Sequence, residues 1–314
     1  MSATTVARPV AIQAQRDRRA AILALARVEA VRLLFLPAFL VGLGITLAAI
    51  FLRRGQADWG GRSLYIGPVA WTFACTGTLV AAALVAGRQR FLADPDLFPA
   101  TPATRVDRVL ASALALAAPT AVAGVAATVV AVVNVRKGGF LVGTGPYTRS
   151  ILPSVADWAQ PVLLVALAGV VGVVAAQLRR GRLAGMGFLA FATFVGGMMN
   201  WAFQAHPIRV LHPMMFGEYD ARLPAGFTPD GWTAADRALL PPDQYVKNWR
   251  EVGFDTTALE WHLLYLAGLI LVGVWLAHRL AERPEGRLGR WPLLAGLPLL
   301  AVGAVAQLLT AGHA

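Results

Sequence analysis

Long uncharged stretches alternate with short charged segments along the whole chain. Seven stretches of 18 to 27 residues contain no Asp, Glu, Lys or Arg. They cover residues 33–52, 63–87, 109–135, 158–178, 183–205, 261–278 and 291–314. A bilayer core about 30 Å thick needs about 20 helical residues, and a continuous segment in lipid satisfies its own backbone hydrogen bonds only as a helix. The pattern therefore predicts an all-α protein, a polytopic transmembrane bundle of about seven spans.

Composition supports this class and excludes others. Of the 314 residues, 57% are hydrophobic and only 14% are charged, whereas soluble domains carry about 25% charged residues. A soluble enzyme, a disordered chain and a secreted disulfide scaffold are excluded, and the single cysteine, Cys75, permits no intrachain disulfide. The net charge of +11 indicates contact with the lipid bilayer and no nucleic-acid partner.

The placement of arginine and lysine predicts the orientation and divides the chain. With a cytoplasmic N-terminus, 17 of the 28 Lys and Arg residues fall on the cytoplasmic side and 11 on the other, which the positive-inside rule favours. A multi-pass protein of the cell membrane is expected, its C-terminus outside. Its parts are a cytoplasmic arm, 1–32; five spans over 33–205 with a cytoplasmic loop at 88–108; an extracytoplasmic loop, 206–260; and two last spans, 261–314.

Chemistry-bearing residues are scarce within the spans. No span contains an interior charge for a proton or ion path, and the only lysines, Lys137 and Lys247, belong to no phosphate-binding loop. The sequence therefore predicts no cofactor and no ATPase activity in this chain. Energy for driven transport has to arrive through another subunit.

The loop 206–260 leaves a second interpretation open. It and the start of the following span contain possible metal ligands at His206, His212, Glu218, Asp220, Glu260 and His262. The tight helical spacings of zinc sites are missing, so no metal site is expected. A membrane-embedded enzyme that uses these residues stays an alternative, as does a non-transporting membrane anchor or sensor.

Two cytoplasmic segments suit docking of a partner. Residues 13–32 are rich in Ala, Leu and Arg and predict a helix directly before the first span. The loop 88–108 exposes Leu97 and Phe98 between acids and prolines. Thr101 followed by Pro102 predicts the N-cap and first turn of a third helix that continues unbroken to Val135.

The order of these parts resembles the type-2 permease family of ATP-binding cassette (ABC) exporters. The segment ARVEAVRLL matches the family's interfacial elbow helix at Arg27, Glu29 and Arg32. The segment DLFPATPATRVDRVLASALA is similar to its coupling segment, which implies an ATPase contact. That contact is assigned to Leu97, Phe98, Pro99, Thr101 and Arg105. The resemblance implies an ABC ATPase subunit as partner, and pairing of two permease subunits as a homodimer or heterodimer.

One departure from the family concerns the end of the chain. The family core has six spans with both ends inside, whereas residues 291–314 form a seventh apolar run. This run is interpreted as an added C-terminal span or as a segment on the membrane surface.

Overall fold

The computed structural model describes residues 7–52, 68–91, 104–138, 140–142, 149–152, 155–178, 256–281 and 290–311. The elements in these ranges are α1 Ala7–Phe35, α2 Pro37–Leu52, α3 Pro68–Phe91, α4 Arg105–Ala115, α5 Ala117–Arg136, β1 Phe140–Val142, β2 Arg149–Ile151, α6 Val155–Gln177, α7 Thr256–Ala281 and α8 Trp291–Ala311. Five helical segments are long and apolar enough to cross a membrane, and α1 with α2 makes a sixth candidate. The predicted helical, membrane-compatible fold is confirmed for these ranges, while the predicted span 183–205 lies outside them.

The first predicted span is broken near its start. Helix α1 passes the predicted boundary at Arg32 and ends at Phe35, and α2 begins at Pro37 with its axis turned by 53°. Proline suits the first position of a helix, where its missing N–H has no partner to lose. Helix α2 has 16 residues, about 24 Å of helix. Helix α1 carries eight charged residues, so we treat it as lying outside the membrane-spanning segments.

The third predicted helix begins later than expected and is interrupted. Its N-cap is Thr104, not Thr101, and its first residue is Arg105. Thr101 and Pro102 lie outside the described residues. The expected unbroken run to Val135 is also wrong, because α4 ends at Ala115 and α5 starts at Ala117. Pro119 explains the interruption, since it has no N–H for the carbonyl of Ala115 and its ring crowds that carbonyl.

The buried hydrophobic residues form two core layers, one towards each end of the bundle. One layer joins the beginnings of α2 and α4 to the last turns of α3, α6 and α7; it includes Phe39, Val109, Val85, Val173 and Ala277. The other joins the end of α2 and the middle of α5 to the first halves of α3, α6 and α7; it includes Ile50, Val130, Trp71, Leu164 and Leu266. Helices α2, α3, α4–α5 and α6 thus alternate in direction. The end of α6 and the start of α7 lie at opposite ends of the bundle.

Other boundaries also differ from the prediction. Helix α3 continues to Phe91 and α4 begins at Arg105, so both ends of the predicted loop 88–108 are helical. Helix α7 begins at Thr256, inside the predicted loop 206–260. The described residues are also not purely helical, because β1 and β2 pair antiparallel after α5. Gly138, at φ +85°, allows the chain to leave α5 towards this ribbon.

Helix α8 packs antiparallel along α7. A Cβ atom on Gly303 would lie 2.5 Å from the backbone nitrogen of Tyr265, and one on Gly268 would lie 2.5 Å from that of Leu300. Glycine at both positions therefore allows the two backbones to approach closely, as small residues do between membrane helices. Helices α6 and α3 also approach closely at Gly172, where a Cβ atom would clash with the carbonyl oxygen of Leu79.

Candidate functional site

The first turn of α4 is held by a carboxylate that also binds α1. Oδ2 of Asp107 accepts hydrogen bonds from the backbone N–H and the hydroxyl of Thr104, at 3.1 and 2.7 Å. The Thr104 hydroxyl in turn accepts from the backbone N–H of Asp107 at 3.1 Å, which completes a capping box. Oδ1 of Asp107 faces Nε and Nη2 of Arg18 on α1, at 2.8 and 2.7 Å. The Asp107 side chain thus caps α4 and also connects α4 to α1.

A second polar contact connects α1 and α4 deeper in the bundle. The hydroxyl of Ser112 on α4 donates to Oε2 of Glu29 on α1 at 2.8 Å, and both side chains are buried. Ala26 and Leu33, three residues before and four after Glu29, are buried on the same side of α1. This side of α1 is therefore the one that packs against α4.

The surroundings of Glu29 change its acidity. Burial raises the pKa of this carboxyl to about 7 from an ordinary value of 4.5, although the Ser112 hydrogen bond and the nearby charge of Arg32 both lower it. Removal of a carboxylate from water outweighs these two favourable contacts. Glu29 therefore changes protonation near neutral pH.

A third helix reaches the first turn of α4 from the other side. Nη2 of Arg105 donates to Oε1 of Gln177 at 3.3 Å. Gln177 is buried at the end of α6, directly before the arginine-rich segment 179–182. Helices α1, α4 and α6 thus meet at one end of the bundle, in an arrangement that we call the α4 junction, formed by Arg18, Glu29, Thr104, Arg105, Asp107, Ser112 and Gln177.

The α4 junction contains some of the predicted site residues. Glu29 and Arg105 belong to it, whereas the side chains of Arg27 and Arg32 on the elbow segment are exposed. Leu97, Phe98, Pro99 and Thr101, the remaining predicted ATPase contacts, lie outside the described residues.

Sequence reasoning missed the polar partners that complete the junction. The pattern Thr-Arg-Val-Asp at 104–107 does signal a helix start, because Thr and Asp three residues apart can form reciprocal hydrogen bonds. Arg18 and Asp107 are 89 residues apart, and Glu29 and Ser112 are 83 apart. No local pattern connects residues at such separations.

The ligands of the alternative metal site are only partly described. His206, His212, Glu218 and Asp220 lie outside the described residues. Nδ1 of the buried His262 lies 2.9 Å from Oε1 of Gln307, whose amide donates to the carbonyl of Gly303 at 2.9 Å. Glu260, two residues earlier, is exposed. His262 thus takes part in α7–α8 packing.

No family model, curated protein or solved structure matches this chain.

Proposed function

We propose that this chain is the membrane-spanning permease subunit of an ATP-driven, ABC-type exporter, energised by a separate ATPase subunit. The observation that carries the proposal is the attachment of α1 to the first turns of α4. Helix α4 directly follows the segment 92–103, which contains the predicted ATPase contacts Leu97 and Phe98. A displacement of that segment by a soluble partner acts first on the N-terminus of α4.

The polar contacts of the junction support force transfer from this point into the bundle. Asp107 connects the first turn of α4 to Arg18 on α1, and Arg105 connects the same turn to Gln177 on α6. Helix α1 leads through a 53° bend into α2. Movement at one turn of α4 therefore acts on three further helices, α1, α2 and α6.

The energy source follows from what the sequence contains. Both lysines lie outside any phosphate-binding loop, so nucleotide has to bind a second protein. By resemblance, two copies of such a permease, or two related permeases, pair with two ATPase subunits in the cell membrane. The predicted cytoplasmic N-terminus places α1 and the N-terminus of α4 on the ATPase side.

Phe98→Asp tests the proposed ATPase contact. Burial of a phenylalanine in a partner's cleft is worth about 1.5–3 kcal/mol, and an aspartate there loses this contribution and adds a buried charge. We expect normal abundance in the membrane and loss of vanadate-sensitive ATP hydrolysis from the complex purified in mild detergent. The matched control is Arg180→Gln in the next cytoplasmic loop, which is expected to keep the ATPase. A Phe98→Asp complex that hydrolyses ATP like the parent would contradict the assignment, and a parent preparation without any ATPase would contradict the proposed function.

A further inference from the structure

The side of α1 that faces away from α4 carries two exposed rows of residues. One row, at four-residue spacing, contains Arg19, Leu23, Arg27, Val31 and Phe35. The adjacent row contains Arg16, Ala20, Ala24, Val28 and Arg32. Residues four apart lie above one another on a helix, so the two rows form one continuous strip, which we call the outer strip of α1.

Large apolar side chains make up much of this strip. Phe35 is 74% exposed, Leu23 62%, Val31 51% and Val28 48%. Four large apolar side chains side by side on a helix that already buries its other face are unusual for a water-facing surface. A partner that buries these side chains has to present an apolar surface.

The same strip carries a positive charge. Arg16, Arg19, Arg27 and Arg32 are exposed on it, and neither row contains an acidic residue. Arg18, by contrast, lies off the strip and is paired with Asp107. A partner that covers the outer strip therefore has to present both apolar groups and negative charge within the width of one helix.

The connection of α1 to α2 indicates which partner this is. Through the 53° bend, α1 continues into α2, whose exposed residues include Leu40, Val41 and Ile45 in a segment without any charge. The C-terminal end of α1 thus adjoins the start of an apolar segment suited to the bilayer. At that level, acyl chains and headgroup phosphates are both within reach of one helix.

We propose that the outer strip of α1 binds anionic phospholipid, with its arginines Arg16, Arg19, Arg27 and Arg32 on the headgroup phosphates and Leu23, Val31 and Phe35 among the upper acyl carbons. This binding requires only the bilayer and holds whether or not an ATPase drives the protein. It gives α1 a preference for lipid with net negative charge over zwitterionic lipid.

Lipid quenching of a fluorophore at position 31 tests the proposal. In a Cys75→Ala background, Val31→Cys supplies the single thiol for labelling, and Val302→Cys on α8 supplies the control. Val31 and Val302 are both 51% exposed, and α8 contains no charged residue. The labelled protein is placed in phosphatidylcholine vesicles that contain either brominated phosphatidylglycerol or brominated phosphatidylcholine.

The expected result is selective quenching at position 31. Brominated phosphatidylglycerol should quench with about five-fold higher apparent affinity than brominated phosphatidylcholine, the factor expected for about one arginine beside an anionic lipid. The preference should fall with added salt. It should also be lost in Arg16→Gln/Arg19→Gln/Arg27→Gln/Arg32→Gln and kept in Arg18→Gln. Position 302 should be quenched equally by both lipids in every variant, which also reports that the bundle is folded.

Two outcomes would overturn the proposal. Equal quenching of position 31 by the two lipids would show that the strip has no anionic preference. No quenching at position 31, with normal quenching at position 302, would show that water or another protein covers the strip.

Discussion

The Arg18–Asp107 pair allows the attachment of α1 to α4 to be measured. The Arg18 side chain is 57% exposed and that of Asp107 is 3% exposed, so solvent screens one partner and the pair is worth about 0.5–1 kcal/mol. Asp107 also completes the capping box with Thr104, and loss of a cap costs roughly 0.5–2 kcal/mol. Arg18→Gln should therefore destabilise the chain by about 0.5–1 kcal/mol, and Asp107→Ala by about 1–3 kcal/mol.

A double-mutant cycle separates the two roles of Asp107. Free energies of unfolding come from titration of the parent, both single variants and the double variant with sodium dodecyl sulfate in mixed micelles, followed by circular dichroism. Arg18→Gln and Asp107→Ala should show a coupling energy of about 0.5–1 kcal/mol that decreases with salt. The control is Arg16→Gln, an exposed arginine of α1 whose effect should be additive with Asp107→Ala. Additive effects of Arg18→Gln and Asp107→Ala would refute the attachment that we describe.

Four further predictions test other parts of the structure. Glu29→Gln should leave the free energy of unfolding unchanged near pH 4.5 and increase it by up to about 3 kcal/mol at pH 8. The reason is that the raised pKa of Glu29 makes the parent lose stability as the pH rises from 4.5 to about 7. The same unfolding titrations at both pH values check this, and an equal effect at both would contradict it. Cys75→Ala should cost less than about 1.5 kcal/mol and leave activity intact, since the thiol is a small buried apolar group; lost activity at normal membrane abundance would reveal a role for it. Gln307→Ala should cost about 1 kcal/mol by leaving buried His262 without this hydrogen bond, and His262→Leu combined with Gln307→Leu should recover most of that loss; a double variant less stable than either single variant would argue against the pair. A fluorescent reporter that works only in the cytoplasm should stay dark when fused after Ala314; a bright fusion would mean that α8 ends on the cytoplasmic side.

The positions of the helices could be predicted because lipid restricts the chain so strongly. Uncharged runs of span length have to become helices in hydrocarbon, and α3, α6, α7 and α8 each overlap such a run. Their ends were predicted less well. Charges at positions such as Arg88 and Glu260 do not end the helices, because a helix continues in water beyond the bilayer.

The polar interior of the α4 junction could not be predicted from local patterns. Glu29 lies among arginines just before an apolar run, where a carboxylate is normally exposed. Its burial depends on Ser112, a residue 83 positions away that brings the hydroxyl needed to satisfy it. The break at Leu116 is different, because Pro119 in the sequence already removes one hydrogen bond of the helix.

The two faces of α1 together constrain how the proposed transporter could move. One face is tied to α4 through Asp107 and Ser112, and the opposite face carries the outer strip. The Arg18–Asp107 contact is partly exposed and weak, whereas the Glu29–Ser112 contact is buried. Separating the first turn of α4 from Arg18 therefore costs less free energy than breaking the Glu29–Ser112 contact. A push on the segment 92–103 should therefore reach α1 mainly through the buried Glu29–Ser112 contact, because the Arg18–Asp107 contact yields first.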